Sequence, residues 1–203
     1  LSITNAFNFI DGLNGLSSGL SLIIVGTFSY ISYNYSNFDL YYISVIFIFG
    51  LLPFWLFNIF TGKIFLGDSG SYVVGIFIGW LGVELVYREQ SFSPWFVFFI
   101  ILYPATELIV SVIRRLVKKR SPFKPDNEHL HTMFFYFLKS VMRNYNNKII
   151  NSIAGTFLVL YGSIPSLYIL LYLNELNIIF IEIFLYFSSY CLLFGFLKIR
   201  MTK

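Results

Sequence analysis

One cysteine and few charges set the first limits on this 203-residue chain. The lone Cys191 excludes an internal disulfide and carries no information on redox compartment. Only 12% of residues are charged, about half the ~25% usual in soluble domains. What fills the space is apolar: 57% hydrophobic and 21% aromatic residues, with phenylalanine alone contributing 25 positions. That balance excludes an ordinary soluble domain. No segment shows the charged, apolar, small-residue order of a cleaved signal peptide. A backbone inside lipid must satisfy its own hydrogen bonds, so an all-α polytopic transmembrane bundle is the expected fold.

Six stretches approach the ~20 apolar residues that a span needs: Leu16–Tyr33, Leu40–Phe60, Tyr72–Tyr87, Pro94–Ile113, Ile149–Leu173 and Ile178–Leu197. The first and third are short and rich in Gly or Ser. Pro104 and Pro165 remove internal hydrogen bonds and predict kinks. Gly75, Gly79 and Gly82 form a small-residue face suited to close packing. That packing serves one subunit or, in a homodimer, two. The whole of 1–203 reads as a single membrane domain.

Thirteen of the 14 Lys and Arg residues fall on one side if the six spans alternate: Lys63, nine from Arg114 to Lys148, and Lys198, Arg200 and Lys203. Only Arg88 falls on the other. The positive-inside rule makes the first side, with the C-terminus, cytoplasmic. Tyr33, Tyr35, Tyr41, Tyr42, Tyr87, Trp95 and Tyr172 then gather at the outer interface. The inner loop 114–148 contains an extended Ser121–Pro125 stretch, and Asp126 is a plausible N-cap for a helix starting at Asn127. Leu130, Met133, Phe134, Phe137, Leu138 and Val141 then repeat at helical spacing, which predicts an amphipathic helix in the cytoplasmic interface.

The polar clusters all lie on the cytoplasmic side. They are Asp11-Gly12-Leu13-Asn14-Gly15, Thr61 through Gly67-Asp68-Ser69-Gly70-Ser71, and Pro125 through His129-Leu130-His131. A carboxylate beside apolar spans is costly unless it has a partner. Glycines around Asp68 let backbone approach a ligand, and the following helix offers free N–H groups that suit phosphate. Asp11 and Asp68 are placed to converge, and Mg²⁺ takes a few carboxylate oxygens with substrate phosphates and water. Taken alone, Asp-Gly-Leu-Asn-Gly and Gly-Asp-Ser-Gly are also ordinary turn sequences. On a helix, His129 and His131 would face different ways, which argues against paired zinc ligation. With Arg114, Arg115 and Lys124 near, they suit phosphate oxygens instead. The basic run 114–120 also fits plain headgroup contact. Glu107, inside the fourth span, either makes a packed polar contact or lines the site.

Together these strings resemble the bacterial polyprenyl-phosphate N-acetylhexosamine-1-phosphate transferases, a family that includes the undecaprenyl-phosphate GlcNAc-1-phosphate transferases and, more distantly, the phospho-MurNAc-pentapeptide transferases. The matching segments are Asn5 to Leu16, Phe65 to Ser71, and Arg114-Arg115 with Ser121-Pro122-Phe123 and Pro125 to His131. Their order is that of the family's C-terminal half. The resemblance implies Mg²⁺-dependent (or Mn²⁺-dependent) transfer of a sugar-1-phosphate from a UDP-sugar to undecaprenyl phosphate at the bacterial cytoplasmic membrane, with release of UMP. It makes Asp68 the metal ligand and puts Asp11 beside the nucleotide sugar. Asn5, Asn8 and Asn14 would orient the substrate, and His129 and His131 would contact its diphosphate or sugar. Lys63 and Lys124 complete the candidate binding set.

The chain departs from the family pattern at three points. Asn14 stands where an aspartate is usual, Thr132 replaces a histidine, and the adjacent-aspartate motif of the N-terminal half is absent. This segment alone is therefore expected to be inactive, as the C-terminal portion of a longer transferase. The competing expectation is a non-catalytic or degenerate paralogue that keeps the fold. A small ion-coupled transporter fits less well, because the polar residues gather at one face rather than at mid-membrane. No nucleic-acid partner is expected.

Overall fold

The computed structural model describes residues 2–119, 128–172 and 175–201. A short amphipathic helix, α1 (Ser2–Ile10), is followed by three long ones: α2 (Leu16–Asn34), α3 (Phe38–Thr61) and α4 (Gly67–Arg88). Next come α5 (Pro94–Ile100), α6 (Leu102–Val117), α7 (Leu130–Val141), α8 (Asn147–Tyr168) and α9 (Leu176–Met201). A 3-10 turn at Ile169–Leu171 extends α8. Among the described residues, five helices are long and apolar enough to cross a membrane, or six if α5 and α6 form one span. The chain is a multi-pass membrane protein.

α2 is the axis of the bundle. α3 and α8 pack on it and α4 flanks it, while α1 lies between α4 and α6. Its modest hydropathy follows from that position: it is 72% buried, whereas α3 and α9 are only 17% buried. A helix enclosed by protein can carry hydroxyls provided each finds an acceptor. Ser21 donates to the Ser17 carbonyl at 2.6 Å and Thr27 to the Ile23 carbonyl at 3.0 Å. Short side chains at these positions also let neighbours close in.

The predicted span Pro94–Ile113 is not one straight helix. α5 and α6 meet at Ile101 with a bend of 80°. Pro104 explains the break, because its ring has no N–H to donate and crowds the carbonyl four residues back, that of Ile100. The freed Ile100 carbonyl accepts the Ser166 hydroxyl from α8 at 2.8 Å. The third span also differs from expectation: α4 starts at Gly67, five residues before Tyr72, so Asp68 sits in its first turn. The glycines of α4 are used inside the chain. A Cβ on Gly75 would lie 2.6 Å from Thr4 Cα of α1, and one on Gly82 2.6 Å from Val97 of α5.

Polar contacts fasten both ends. At one end Arg88 pairs with Asp39 at 2.5 Å and Glu84 at 3.1 Å, and Asn37 donates to Glu89 at 2.7 Å. The opposite end, where α1, α3, α6 and α9 finish and α4 begins, carries the site.

Candidate active site

The turn Asp11–Gly15 is shaped by polar groups buried beneath it. Gly15 takes a positive φ of 74° at the start of α2, a conformation that suits glycine. Its N–H donates to the Asn58 carboxamide oxygen, while the Asn58 amide donates to the Ile64 carbonyl. One buried side chain in α3 thus ties the Asp11 turn to the loop before Asp68. On the other flank, Asn14 N–H donates to Asn151 Oδ1 at 2.6 Å and Asn14 Nδ2 to Ser152 Oγ at 3.1 Å. Ser152 passes its own proton to the Ile59 carbonyl at 2.7 Å. The α8 backbone comes so close that a Cβ on Gly155 would lie 2.1 Å from the Asn14 carbonyl oxygen.

Asp11 meets Asp68 through the intervening backbone. Asp11 Oδ2 accepts the N–H of Gly67 at 2.9 Å. Gly67 has a positive φ of 60°, which turns the chain into α4. Asp68 and Ser69 are then exposed in the first turn, where the preceding Leu66 supplies no side-chain cap and negative charge is favoured. Burial pushes the Asp11 carboxyl up to about 6, against the pull of the Gly67 and Leu66 N–H groups. Removal from water disfavours the charged form of a carboxylate, which is what raises its pKa.

The histidine segment closes over the same turn. A Cβ on Gly12 would lie 2.3 Å from His131 Nε2, so only glycine admits the imidazole at this distance. His131 is buried, its Nδ1 has no hydrogen-bond partner among the described residues, and burial lowers its pKa to about 4. His129 is extended rather than helical (φ −82°, ψ 149°), and α7 starts only at Leu130. The expectation that the two rings diverge therefore fails: they stack, with centroids 5.3 Å apart and planes 12° from parallel. Phe9 packs against His129 at 5.4 Å and under the Arg115 guanidinium at 5.2 Å.

Glu107, buried in α6, anchors this segment. Its Oε1 lies 3.0 Å from His129 Nδ1 and accepts the Leu130 N–H at 3.0 Å, and its Oε2 accepts the Tyr190 hydroxyl from α9. Ser111 Oγ stands 3.2 Å from the same His129 nitrogen. Just outside, Glu128 contacts Lys118, Arg114 at 3.7 Å and Lys198 at 3.9 Å, joining α6 to α9. The Lys118 ammonium holds the Glu128 carboxyl below its ordinary value.

The structure thus brings Asp11, Asp68, His129 and His131 to one end of the bundle. Asn5 is exposed and Asn8 half-buried on α1, and Lys63 is exposed in the loop before α4. Asn14 is buried and committed to α8. Lys124 and the Asp126 cap lie outside the described residues. Asn58, Ser152 and Tyr190 were not among the expected site residues. A signal existed for Asn58, the one carboxamide in the otherwise apolar α3; Ser152 and Tyr190 offered none.

Fold and site define a class: a polytopic helical membrane protein with carboxylates, histidines and arginines converging at one membrane face. Comparison with known proteins narrows it. Residues 1–86, which contain both aspartate clusters, match the model described as glycosyl transferase family 4. The chain is similar to the undecaprenyl-phosphate alpha-N-acetylglucosaminyl 1-phosphate transferase of Thermotoga maritima, 35% identical over 134 residues that cover 66% of this chain and 40% of the relative. A probable undecaprenyl-phosphate N-acetylglucosaminyl 1-phosphate transferase of Bacillus subtilis is 33% identical, covering 68% of this chain and 38% of the relative. The Escherichia coli K12 undecaprenyl-phosphate alpha-N-acetylglucosaminyl 1-phosphate transferase is 33% identical, with 63% of this chain and 36% of the relative covered. No solved structure matches. The resemblance carried by the motifs therefore holds over about two thirds of the chain, and the chain spans 36–40% of the length of these relatives.

Proposed function

We propose that the protein transfers a sugar-1-phosphate, N-acetylhexosamine-1-phosphate, from a UDP-sugar to undecaprenyl phosphate as the first membrane step of a cell-envelope glycan. An oxygen of the lipid phosphate attacks the phosphorus that bears the sugar. The bond from that phosphorus to the bridging oxygen breaks, and UMP leaves with that oxygen. The observation that carries this reading is the Asp11–Gly67 hydrogen bond. It sets one carboxylate beside the helix turn that presents another, with His131 packed on the neighbouring Gly12.

The donor set fits Mg²⁺, with Mn²⁺ as a substitute. Two carboxylates are what a cation needs when substrate phosphates and water complete its shell. Asp68 would hold the metal, and the raised pKa of Asp11 marks a carboxylate that a nearby cation would help to ionise. When bound, the metal neutralises diphosphate charge. The N–H groups left free at the start of α4 offer donors to a phosphate. Asn5, Asn8 and Lys63 stand at the same end and complete the binding face. The crowding of Lys and Arg on this side supports a cytoplasmic face, and the family resemblance supports the bacterial inner membrane.

The test uses the full-length gene product in membranes with Mg²⁺, undecaprenyl phosphate and labelled UDP-N-acetylhexosamines. Label moves into the lipid phase with the parent and not with Asp68→Asn. If a well-folded full-length protein transfers no label from any UDP-sugar tried, the reading is wrong.

A further inference from the structure

Three elements converge on one buried carboxylate that the proposed chemistry leaves unused. Glu107 is 1% exposed, and an ionisable group so placed is retained only with full compensation. It has that compensation. The backbone N–H of Leu130, from the first turn of α7, is directed at Oε1, and the Tyr190 hydroxyl of α9 is directed at Oε2. The third neighbour is His129 Nδ1 at 3.0 Å from Oε1. A backbone N–H can only donate, so Oε1 already acts as an acceptor. The simplest complete arrangement is an ionised carboxylate that also receives a proton-bearing Nδ1. The nearby Ser111 hydroxyl is satisfied by the same choice, since it receives Arg114 Nη2 at 3.4 Å and can accept from Nδ1 as well.

We propose that Glu107 is a positioning residue that holds His129 in the tautomer with the proton on Nδ1, leaving Nε2 with its lone pair. This rests on the transferase reading for its effect on rate, though not for the tautomer itself. Fixing one ring nitrogen defines what the other can do, and a carboxylate behind a histidine also fixes the plane of the ring. The stack on His131 depends on that plane, and His131 in turn packs on the Asp11 turn. Glu107 thus sets the geometry of both histidines without touching substrate. Tyr190 holds the far oxygen and prevents the carboxylate from rotating away. The charged and titratable groups around Glu107 are His129 and His131 from the α7 segment, Tyr190 from α9, and Tyr103 on α6 itself. Arg114, on the same helix, contacts Glu128 and lies over Phe194.

The experiment is ¹⁵N NMR of the full-length protein labelled at histidine, with His129 assigned by its loss in His129→Asn. The parent should show His129 protonated at Nδ1 and bare at Nε2 near neutral pH. Both the Leu130 N–H and Nδ1 meet the same oxygen, Oε1, which a glutamine would reproduce. Glu107→Leu removes that acceptor, and the Nε2-protonated form should gain population. In the transfer assay the same variant should lose about 10²-fold in kcat, with KM for the UDP-sugar within about threefold, the pattern expected when orientation rather than binding is lost. Tyr190→Phe should keep the parent tautomer and lose less than about tenfold. A parent spectrum with Nε2 protonated overturns the proposal whether or not Glu107→Leu folds. So does an unchanged tautomer and kcat in a folded Glu107→Leu. A parent that shows the Nδ1 tautomer but transfers no sugar overturns the transferase reading alone.

Discussion

Asp11 Oδ2 and Gly67 N–H are 56 residues apart in sequence and 2.9 Å apart in space. The contact joins two of the three polar motifs and separates two roles of one carboxylate. Asp11→Asn keeps an oxygen for the Gly67 N–H but removes the charge, and Asp11→Ala removes both. At neutral pH the asparagine variant should melt no lower than the parent, since the ionised carboxylate costs stability there, and lose at least about 10²-fold in transfer. The alanine variant should lose transfer and also about 1 kcal/mol of stability relative to the asparagine variant, the net worth of one hydrogen bond. Thermal melting beside the lipid-extraction assay distinguishes them.

Two glycines test how tightly the site is closed. On Gly12 a Cβ would meet the tip of the His131 ring at 2.3 Å, and on Gly155 it would meet the backbone oxygen of Asn14 at 2.1 Å. Backbone yields less readily than a ring. Gly155→Ala should therefore cost stability, about 1–3 kcal/mol as in other overpacked sites, and activity should fall in proportion to folded protein. Gly12→Ala should cost less stability but displace His131 from its stack, so activity per folded molecule falls. Specific activity normalised to the folded fraction separates the two.

The site was partly legible because polar residues stand out against apolar runs. Asp11, Asp68, His129 and His131 could be picked from the sequence, and the all-helical membrane fold followed from composition and span length. The supports of those residues could not. Asn58 bonds a glycine 43 residues away, Tyr190 a glutamate 83 away, and Asn14 a serine 138 away. Such partners are set by how helices pack, and no local pattern records them. The α5–α6 break was half visible: Pro104 predicts a kink, but the Ser166 hydroxyl that satisfies the freed carbonyl comes from another helix. The histidine stack was misjudged because helical periodicity was extended to His129, which lies just ahead of α7.

The family resemblance leads to the expectation of aspartate at position 14, and the surroundings of Asn14 explain why the amide suits this chain. Its Nδ2 donates to Ser152, whose proton is given to the Ile59 carbonyl. An aspartate cannot donate, so Asn14→Asp should leave Ser152 to choose between two acceptors and cost about 1–3 kcal/mol. Ser152→Ala removes the disputed proton. The double variant should therefore be less destabilised than the two single losses added together, and a double-mutant cycle on thermal melting measures the coupling. Additive losses would show that the pair does not interact.

His131 gives the clearest pH signature. Its folded pKa lies near 4, lowered chiefly by burial and partly by His129, with Glu107 opposing, while an unfolded histidine titrates near 6.5. The unfolded chain therefore takes up this proton first as pH falls. Stability from this group is complete above about 6.5 and declines down to about 4, by on the order of 3 kcal/mol. Asp11 has the opposite slope: its pKa is raised to about 6, so the fold retains its proton more strongly and gains stability as pH falls from about 6. The parent curve contains both, and the difference between parent and His131→Asn isolates the histidine. That difference should be flat from pH 7 to 8, and the parent should lose ground to the variant between about 6.5 and 4. A difference independent of pH would mean that His131 is solvated and titrates as it does in the unfolded chain.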